Sequence, residues 1–331
     1  MQQLRNLIDG YQSTCILIAA TKLGLFAALA EERQSLPGLA RTLRADQDSL
    51  ARLIRVLRTY GLVAVDGEKL GLTRAGLRLA PAHGGLCDQL HMIAGEYLDV
   101  WSRLDVAIAQ GGPVFESVFH DTPWQHRLSN PTIGAAFNRM TEAPQLAAAD
   151  KIAAAYEFSE YSTLADIGGG RGHLVCRVLA RHPGLSALLF DLPQVISTAR
   201  EWLAKFEFAD RCRLQSGSFF EHVPAGNDLY TLEYVLHDWD DDDCETILRN
   251  CAAAMRGSSR LLILEKPLSG DDESDDLQWL ALRDIHMMLV HGGRERTLQQ
   301  YDRLLESASL QRVSHRQLDP NLPDIIEARR A

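Results

Sequence analysis

The chain has 331 residues, 46% of them hydrophobic, with 34 Lys and Arg against 44 Asp and Glu, a formal net charge of −10. That length exceeds one average domain and suggests two, with enough apolar side chains for buried cores, and the acidic balance disfavours general nucleic-acid binding. No run approaches the ~18 consecutive apolar residues of a membrane helix, and the start Met1-Gln-Gln-Leu-Arg5 lacks the charged and apolar segments of a signal peptide, so a cytoplasmic protein with no membrane partner is expected.

The charge is uneven: positions 1–150 hold 14 basic and 15 acidic residues, and the remainder 20 and 29. Cys15, Cys87, Cys176, Cys212, Cys244 and Cys251 form no C-x-x-C pair and fall mostly within apolar patterns, which favours buried free thiols.

Residues 4–30 place Leu4, Leu7, Ile8, Ile16, Ile18, Leu23, Leu25, Phe26 and Leu29 at helical spacing, more apolar surface than one solvated helix needs. We therefore expect this segment to pack on a second subunit, with packing inside one chain as the alternative. Leu36–Leu43 and Asp46–Leu57 read as two short helices, the second capped by Asp46 or Asp48. After Gly61, Leu-Val-Ala-Val, the turn Asp66-Gly67 and Leu-Gly-Leu-Thr suit a hairpin and complete a winged-helix outline. Such a unit also occurs in DNA-binding proteins, and Arg52, Arg55 and Arg58 share one helical face, so a DNA-binding regulator is the rival class. Near-neutral charge over this region argues against it. From Gly84 to Ala149 the pattern is helical and carries Trp101, Phe115, Phe119, Trp124, Phe137, Asn138 and Met140.

Leu164-Ala-Asp-Ile-Gly-Gly-Gly-Arg-Gly-His173 runs an apolar strand into a glycine cluster and out into a helical pattern. Gly168, Gly170 and Gly172 permit positive φ and close backbone approach to a nucleoside-like ligand. The dinucleotide fingerprint would need glycine where His173 stands, and no phosphate-loop G-x-x-x-x-G-K-[ST] stretch occurs. Ser186–Phe190 reads as a second buried strand ending in Asp191, about 20 residues on, where an acid takes ribose hydroxyls. Further strands are expected at 212–215, 229–235, 260–264, 311–317 and 323–329, the last two as an antiparallel edge hairpin, so the second half is a doubly wound, mostly parallel α/β sheet. Ser269–Asp276 reads as a solvated loop.

Strand ends in such sheets bear the site, and here they carry Asp166, Asp191, Ser218, His237 and Glu265. His237 follows Tyr-Val-Leu, so a strand is expected to deliver an imidazole at its mouth, able to accept a proton near neutral pH. Glu265, after Arg260–Leu264, and Glu295, within Gly292-Gly-Arg-Glu-Arg-Thr297, are candidates to orient it. Asp240–Asp243 at a helix start suit the helix dipole, and no metal is expected.

Together with the glycine turn, Phe190-Asp-Leu-Pro-Gln-Val-Ile196, Gly217-Ser-Phe-Phe220 and Leu236-His-Asp-Trp-Asp-Asp241 resemble the caffeate O-methyltransferase-like family of plant and bacterial secondary metabolism, which uses S-adenosylmethionine. The resemblance implies a class I, Rossmann-like methyltransferase domain over 156–331, a helical linker and substrate roof over 86–155, and an N-terminal all-helical, winged-helix-like dimerisation domain over 1–85 that makes a homodimer. It implies methylation of a hydroxyl on a small aromatic metabolite, with a heteroaromatic nitrogen as an alternative acceptor atom. His237 becomes the catalytic base, flanked by Glu265 and Glu295. The cofactor set becomes Asp166, Gly168, Gly170, Asp191, Ser218, Phe219 and Glu233, and the acceptor set Trp101, Phe137, Asn138, Met140, Asp238, Met287 and Met288. Two positions depart from the family: Ser218 stands where an Asp usually accepts from the adenine amino group, and Glu233 where a basic residue often stands. Because some relatives bind S-adenosylmethionine yet hydroxylate, decarboxylate or rearrange, a non-methylating enzyme is the second reading.

Overall fold

The computed structural model describes residues 1–83, 85–268 and 277–331, so the loop expected at Ser269–Asp276 lies outside the described residues. The chain divides into two compact units, one of residues 1–102 and 124–143, the other of 103–123 and 144–331.

In the first unit the helical pattern of residues 4–30 is broken into α1 (Gln2–Lys22) and α2 (Leu25–Glu31), because Gly24 takes a left-handed φ of 75° between them. β1 (Gln34–Ser35), α3 (Leu36–Leu43), α4 (Gln47–Thr59), β2 (Val63–Asp66) and β3 (Lys69–Leu72) follow. Asp46 caps α4 by accepting from the Ser49 amide at 2.8 Å, and Ser35 caps α3. The expected hairpin forms and gains β1 as a third strand, in the order β1-β3-β2. Leu25, Phe26, Leu39, Leu50, Ile54, Leu57 and Val63 fill the core between these elements. The first three turns of α1 are left uncovered: Leu4, Leu7, Ile8 and Tyr11 are 58–70% exposed. Cys15, expected with the buried thiols, is also exposed on this helix, whereas Cys87, Cys176, Cys244 and Cys251 are buried.

The second unit is built on β4 (Thr163–Ile167), β5 (Ser186–Asp191), β6 (Cys212–Ser216), β7 (Leu229–Glu233), β8 (Arg260–Glu265), β9 (Leu310–Arg316) and β10 (Asp324–Arg330). Their order is β6-β5-β4-β7-β8-β10-β9, parallel from β6 to β8 and antiparallel at β10 and β9. Both faces are covered, which is why the strands read as near-continuous apolar runs. Ala165, Ile167, Tyr230, Leu232 and Ile263 face one core layer, and Leu164, Leu189, Leu229, Leu262 and Leu264 the other. The winding reverses at β4, which lies between β5 and β7, so a crevice opens at the carboxyl ends of β4 and β7.

β7 is shorter than the sequence suggests. It ends at Glu233, because Tyr234 turns into the left-handed region at φ 51° while its amide still bonds the Leu264 carbonyl at 3.1 Å. His237 therefore sits on a single helical turn, Leu236–Asp238, beyond the strand rather than on it.

Candidate active site

The turn after β4 is held by backbone and by Asp191. Gly168, Gly170 and Gly172 have φ of 68°, 57° and 82°, values that side chains rarely tolerate. The Asp191 carboxylate at the end of β5 accepts from the Gly170 amide at 2.8 Å and from the Leu192 amide at 2.7 Å. Burial raises the Asp191 pKa, and those two amides counteract it. A Cβ on Gly168 would come within 2.9 Å of Val235 and 3.4 Å of the Phe219 ring, so Phe219 lies against the turn. Gly169, which sequence reasoning passed over, leaves room for the Asp166 carboxyl, whose Oδ2 a Cβ there would meet at 2.4 Å.

Asp166 is fully buried, accepts from Thr231 Oγ1 at 2.7 Å through Oδ1, and keeps Oδ2 without a hydrogen-bond partner. Burial pushes its carboxyl up to about 7, against the Thr231 bond and with the help of Asp191. Glu233 has a buried Oε1 with no partner, and its carboxyl is raised well above the usual range by burial and then by Asp166 and Glu265. Ser218 accepts from the Phe220 amide at 3.3 Å, and Phe219 and Phe220 pack edge-on to Trp239. A positive-φ glycine cradle, an acid at the next strand end and two unpartnered buried carboxyl oxygens fit a nucleoside ligand carrying hydroxyl and amino donors.

Beyond β7 and β8, charged groups converge on one imidazole. His237 Nδ1 lies 3.3 Å from Glu295 Oε1 and 3.6 Å from Glu265 Oε2, and Nε2 lies 3.6 Å from Asp238 Oδ1. Glu265 Oε1 accepts from the His237 backbone amide at 3.2 Å, which ties the turn to the end of β8. Both oxygens of Glu295 are taken by Arg283, whose Nε donates to Oε1 and whose Nη2 donates to Oε2 at 2.7 Å. The same Nη2 is 3.4 Å from Nδ1. Two carboxylates against one donor assign the proton to Nδ1, directed at Glu295, because donation to a charged acceptor is the stronger bond. Nε2 is then the accepting nitrogen.

Burial disfavours the charged ring, but Glu265, Asp238 and Glu295 outweigh it and push the His237 pKa up to about 9. Glu295 moves the other way, to about 2, because bonds from His237 and Arg283 overcome its burial. Glu265 is raised by burial, with His237 opposing. His237 Nδ1, Glu265 and Glu295 offer ligand atoms within 4.8 Å of one another, a spacing that could hold a cation, but the Arg283 guanidinium already supplies the positive charge on Glu295.

The 291–297 segment is locked to this turn. The Arg294 amide bonds the His237 carbonyl at 3.0 Å, Arg296 bonds the Leu236 and Trp239 carbonyls, and Asp284 accepts from the Glu295 amide. A Cβ on Gly293 would sit 2.1 Å from the His237 carbonyl oxygen. Arg283, Tyr234, Asp284, Gly293 and His291, whose Nε2 is 3.8 Å from Asp238, were missed by sequence reasoning. Gly293 lies within the Gly292–Thr297 stretch, His291 adjoins it, and Tyr234 lies three residues before His237, whereas Arg283 and Asp284 lie within a helical pattern with no such marker.

Met287 is buried and Met288 half-buried on helix Leu277–Val290, in the same unit as His237. Trp101, Phe137, Asn138 and Met140 belong to the other unit, where Phe137 lies under Arg127 at 4.2 Å and edge-on to Trp124, and Asn138 is exposed. A cavity of about 590 Å³ opens at the amino ends of the strands, beside Thr163, Ser186 and Arg213. It lies at the opposite end of the sheet from the shifted acids and His237, so the chemistry is assigned to the carboxyl ends.

Residues 101–311 match the O-methyltransferase domain, and residues 5–79 the O-methyltransferase dimerisation domain. The mitomycin biosynthesis 6-O-methyltransferase of Streptomyces lavendulae is 33% identical, over 100% of this chain and 95% of its own. The structure of the mitomycin 7-O-methyltransferase MmcR superposes with a TM-score of 0.92 at 31% identity, covering 100% of this chain and 97% of its own. The O-methyltransferase NcsB1 of neocarzinostatin biosynthesis, solved with S-adenosyl-L-homocysteine and 1,4-dihydroxy-2-naphthoic acid, has a TM-score of 0.83 at 27% identity, each chain covered over 96%. With both family domains matched and relatives aligned end to end, the chain belongs to the O-methyltransferase family.

Proposed function

We propose that this O-methyltransferase methylates a hydroxyl of a small aromatic secondary metabolite, with His237 as the general base. The observation that carries the reading is the imidazole whose Nδ1 faces two buried carboxylates and whose Nε2, 3.6 Å from Asp238, can accept a proton once the ring is neutral. The cofactor is S-adenosylmethionine, which supplies an electrophilic methyl group on a good leaving group. Activation is therefore needed at the acceptor: a phenol has a pKa near ~10, so removing its proton as the oxygen attacks lowers the barrier. Glu295 and Glu265 hold the ring and stabilise the imidazolium that forms.

Gly168, Gly170, Asp191, Asp166, Ser218, Phe219 and Glu233 are the groups we assign to the cofactor. Ser218 offers a weaker acceptor than a carboxylate would, and its hydroxyl already caps Phe220. Asp238, Met287 and Met288, in the unit of His237, are the acceptor contacts on which this reading relies. Residues 1–85 serve as a winged-helix-like dimerisation domain, and the uncovered apolar turns of α1 supply the surface for a homodimer. The test is to offer a panel of phenols, catechols and heteroaromatics with S-adenosylmethionine and to read methylated products by mass spectrometry. Product from hydroxyl-bearing members and none from O-blocked analogues is expected; methylation confined to nitrogen acceptors would overturn the hydroxyl assignment.

A further inference from the structure

The half-buried charged group that the proposed mechanism leaves unused is Arg283. Its side chain is 15% exposed, on helix Leu277–Val290, and it reaches Glu295 with two donors while lying over the Tyr234 ring at 5.5 Å and the Trp279 ring at 4.8 Å. A planar guanidinium fits a carboxylate in this two-pronged way, and an ammonium does not. Arg283 Nη2 also comes to 3.4 Å of His237 Nδ1.

The groups facing His237 come from every element around it. Asp238 is on its own turn, with His291 beyond it; Glu265 comes from the end of β8 and Glu295 from the 291–297 segment. Tyr234, at the end of β7, stacks on the ring at 5.5 Å. Three carboxylates thus face the imidazole, and Arg283 is the cation among these groups.

We propose that Arg283 is a positioning residue for His237: by clamping both oxygens of Glu295 it fixes the tautomer in which Nε2 accepts the proton, and its charge offsets one of the three carboxylates around the ring. The inference rests on the reading of His237 as the base. Without the clamp, Glu295 is free to rotate and keeps its full charge beside Nδ1. The imidazolium is then held more tightly, which leaves less neutral base near pH 7.

The test is a histidine titration of the full chain, uniformly labelled with nitrogen-15 at histidine and assigned by the loss of one signal set in His237→Gln. It needs no acceptor, so it is independent of whether His237 is the base; that question is decided by turnover of His237→Gln. In Arg283→Met the midpoint of His237 is expected to rise by about one pH unit, a tenfold gain in proton affinity. Read above the midpoint, where the ring is neutral, the long-range nitrogen–proton pattern should change from one tautomer to a mixture. Arg283→Lys, which keeps the charge and loses the fork, should leave the midpoint closer to wild type while still mixing the tautomers. An unchanged midpoint and tautomer in folded Arg283→Met would overturn the proposal. Should that variant fail to fold, an unchanged tautomer in Arg283→Lys overturns it equally.

Discussion

Nδ1 of His237 lies 3.3 Å from Oε1 of Glu295, a carboxylate kept ionised by its bonds to His237 and to Arg283. A base so placed must lose its own proton before it can take one. Burial alone would favour the neutral ring, but Glu265, Asp238 and Glu295 raise its pKa to about 9. The ring is therefore charged below that value, and methyl transfer should climb with pH, about tenfold per unit from 7 towards 9, then level off. In Glu265→Gln a raising charge is gone, so the inflection should move down. A profile flat from pH 7 to 9 in the wild type would show that no base of this pKa limits the rate.

Replacing the base should slow chemistry and spare the cofactor. General bases contribute roughly 100- to 10,000-fold, so His237→Ala should lower turnover by that order, while calorimetry finds S-adenosylmethionine affinity within about twofold of wild type. Full turnover in His237→Ala would leave methylation standing and remove the base.

The strands of the second unit were legible because a parallel sheet covered on both faces is written as apolar runs between glycines and helical spacing. Their ends were less so. Tyr-Val-Leu continues the apolar run of β7 to residue 235, but Tyr234 leaves the strand through a left-handed φ of 51°, a conformation that pattern does not reveal. In the site, His237, Glu265 and Glu295 could be singled out because strand ends and a glycine-bounded stretch carry them. Arg283 could not, since an arginine within a helical pattern reads as a solvated face until its partner, 12 residues on, folds back against it.

Asp191 anchors the glycine turn through the Gly170 and Leu192 amides and is the acid assigned to the ribose. Asp191→Ala removes a charged acceptor worth about 1.5–3 kcal/mol, so affinity for S-adenosylmethionine should fall about tenfold to a hundredfold by calorimetry. Unchanged affinity would reassign the ribose contact.

Gly293 leaves no room for a side chain, with the His237 carbonyl oxygen 2.1 Å from where a Cβ would stand. Gly293→Ala must push this segment off the turn that bears the base, at a cost of about 1–3 kcal/mol. A lower melting temperature and lower turnover should appear together. Wild-type values for both would mean that the segment gives way without disturbing His237.

The first turns of α1 place Leu4, Leu7, Ile8 and Tyr11 in water, while Ile18 and Ala20 of the same helix are buried. At about 25 cal/mol per Å² of apolar surface, four such side chains are a substantial driving force for association. Residues 5–79 match the O-methyltransferase dimerisation domain, so a second copy of the chain is the cover we assign. Light scattering at micromolar concentration should give twice the 36.8 kDa chain mass. Leu7→Asp with Ile8→Asp should shift the protein towards the single-chain mass, because burying two carboxylates at such a contact costs more than the lost apolar area. A wild-type protein that is fully active at the single-chain mass would remove the dimer from this reading.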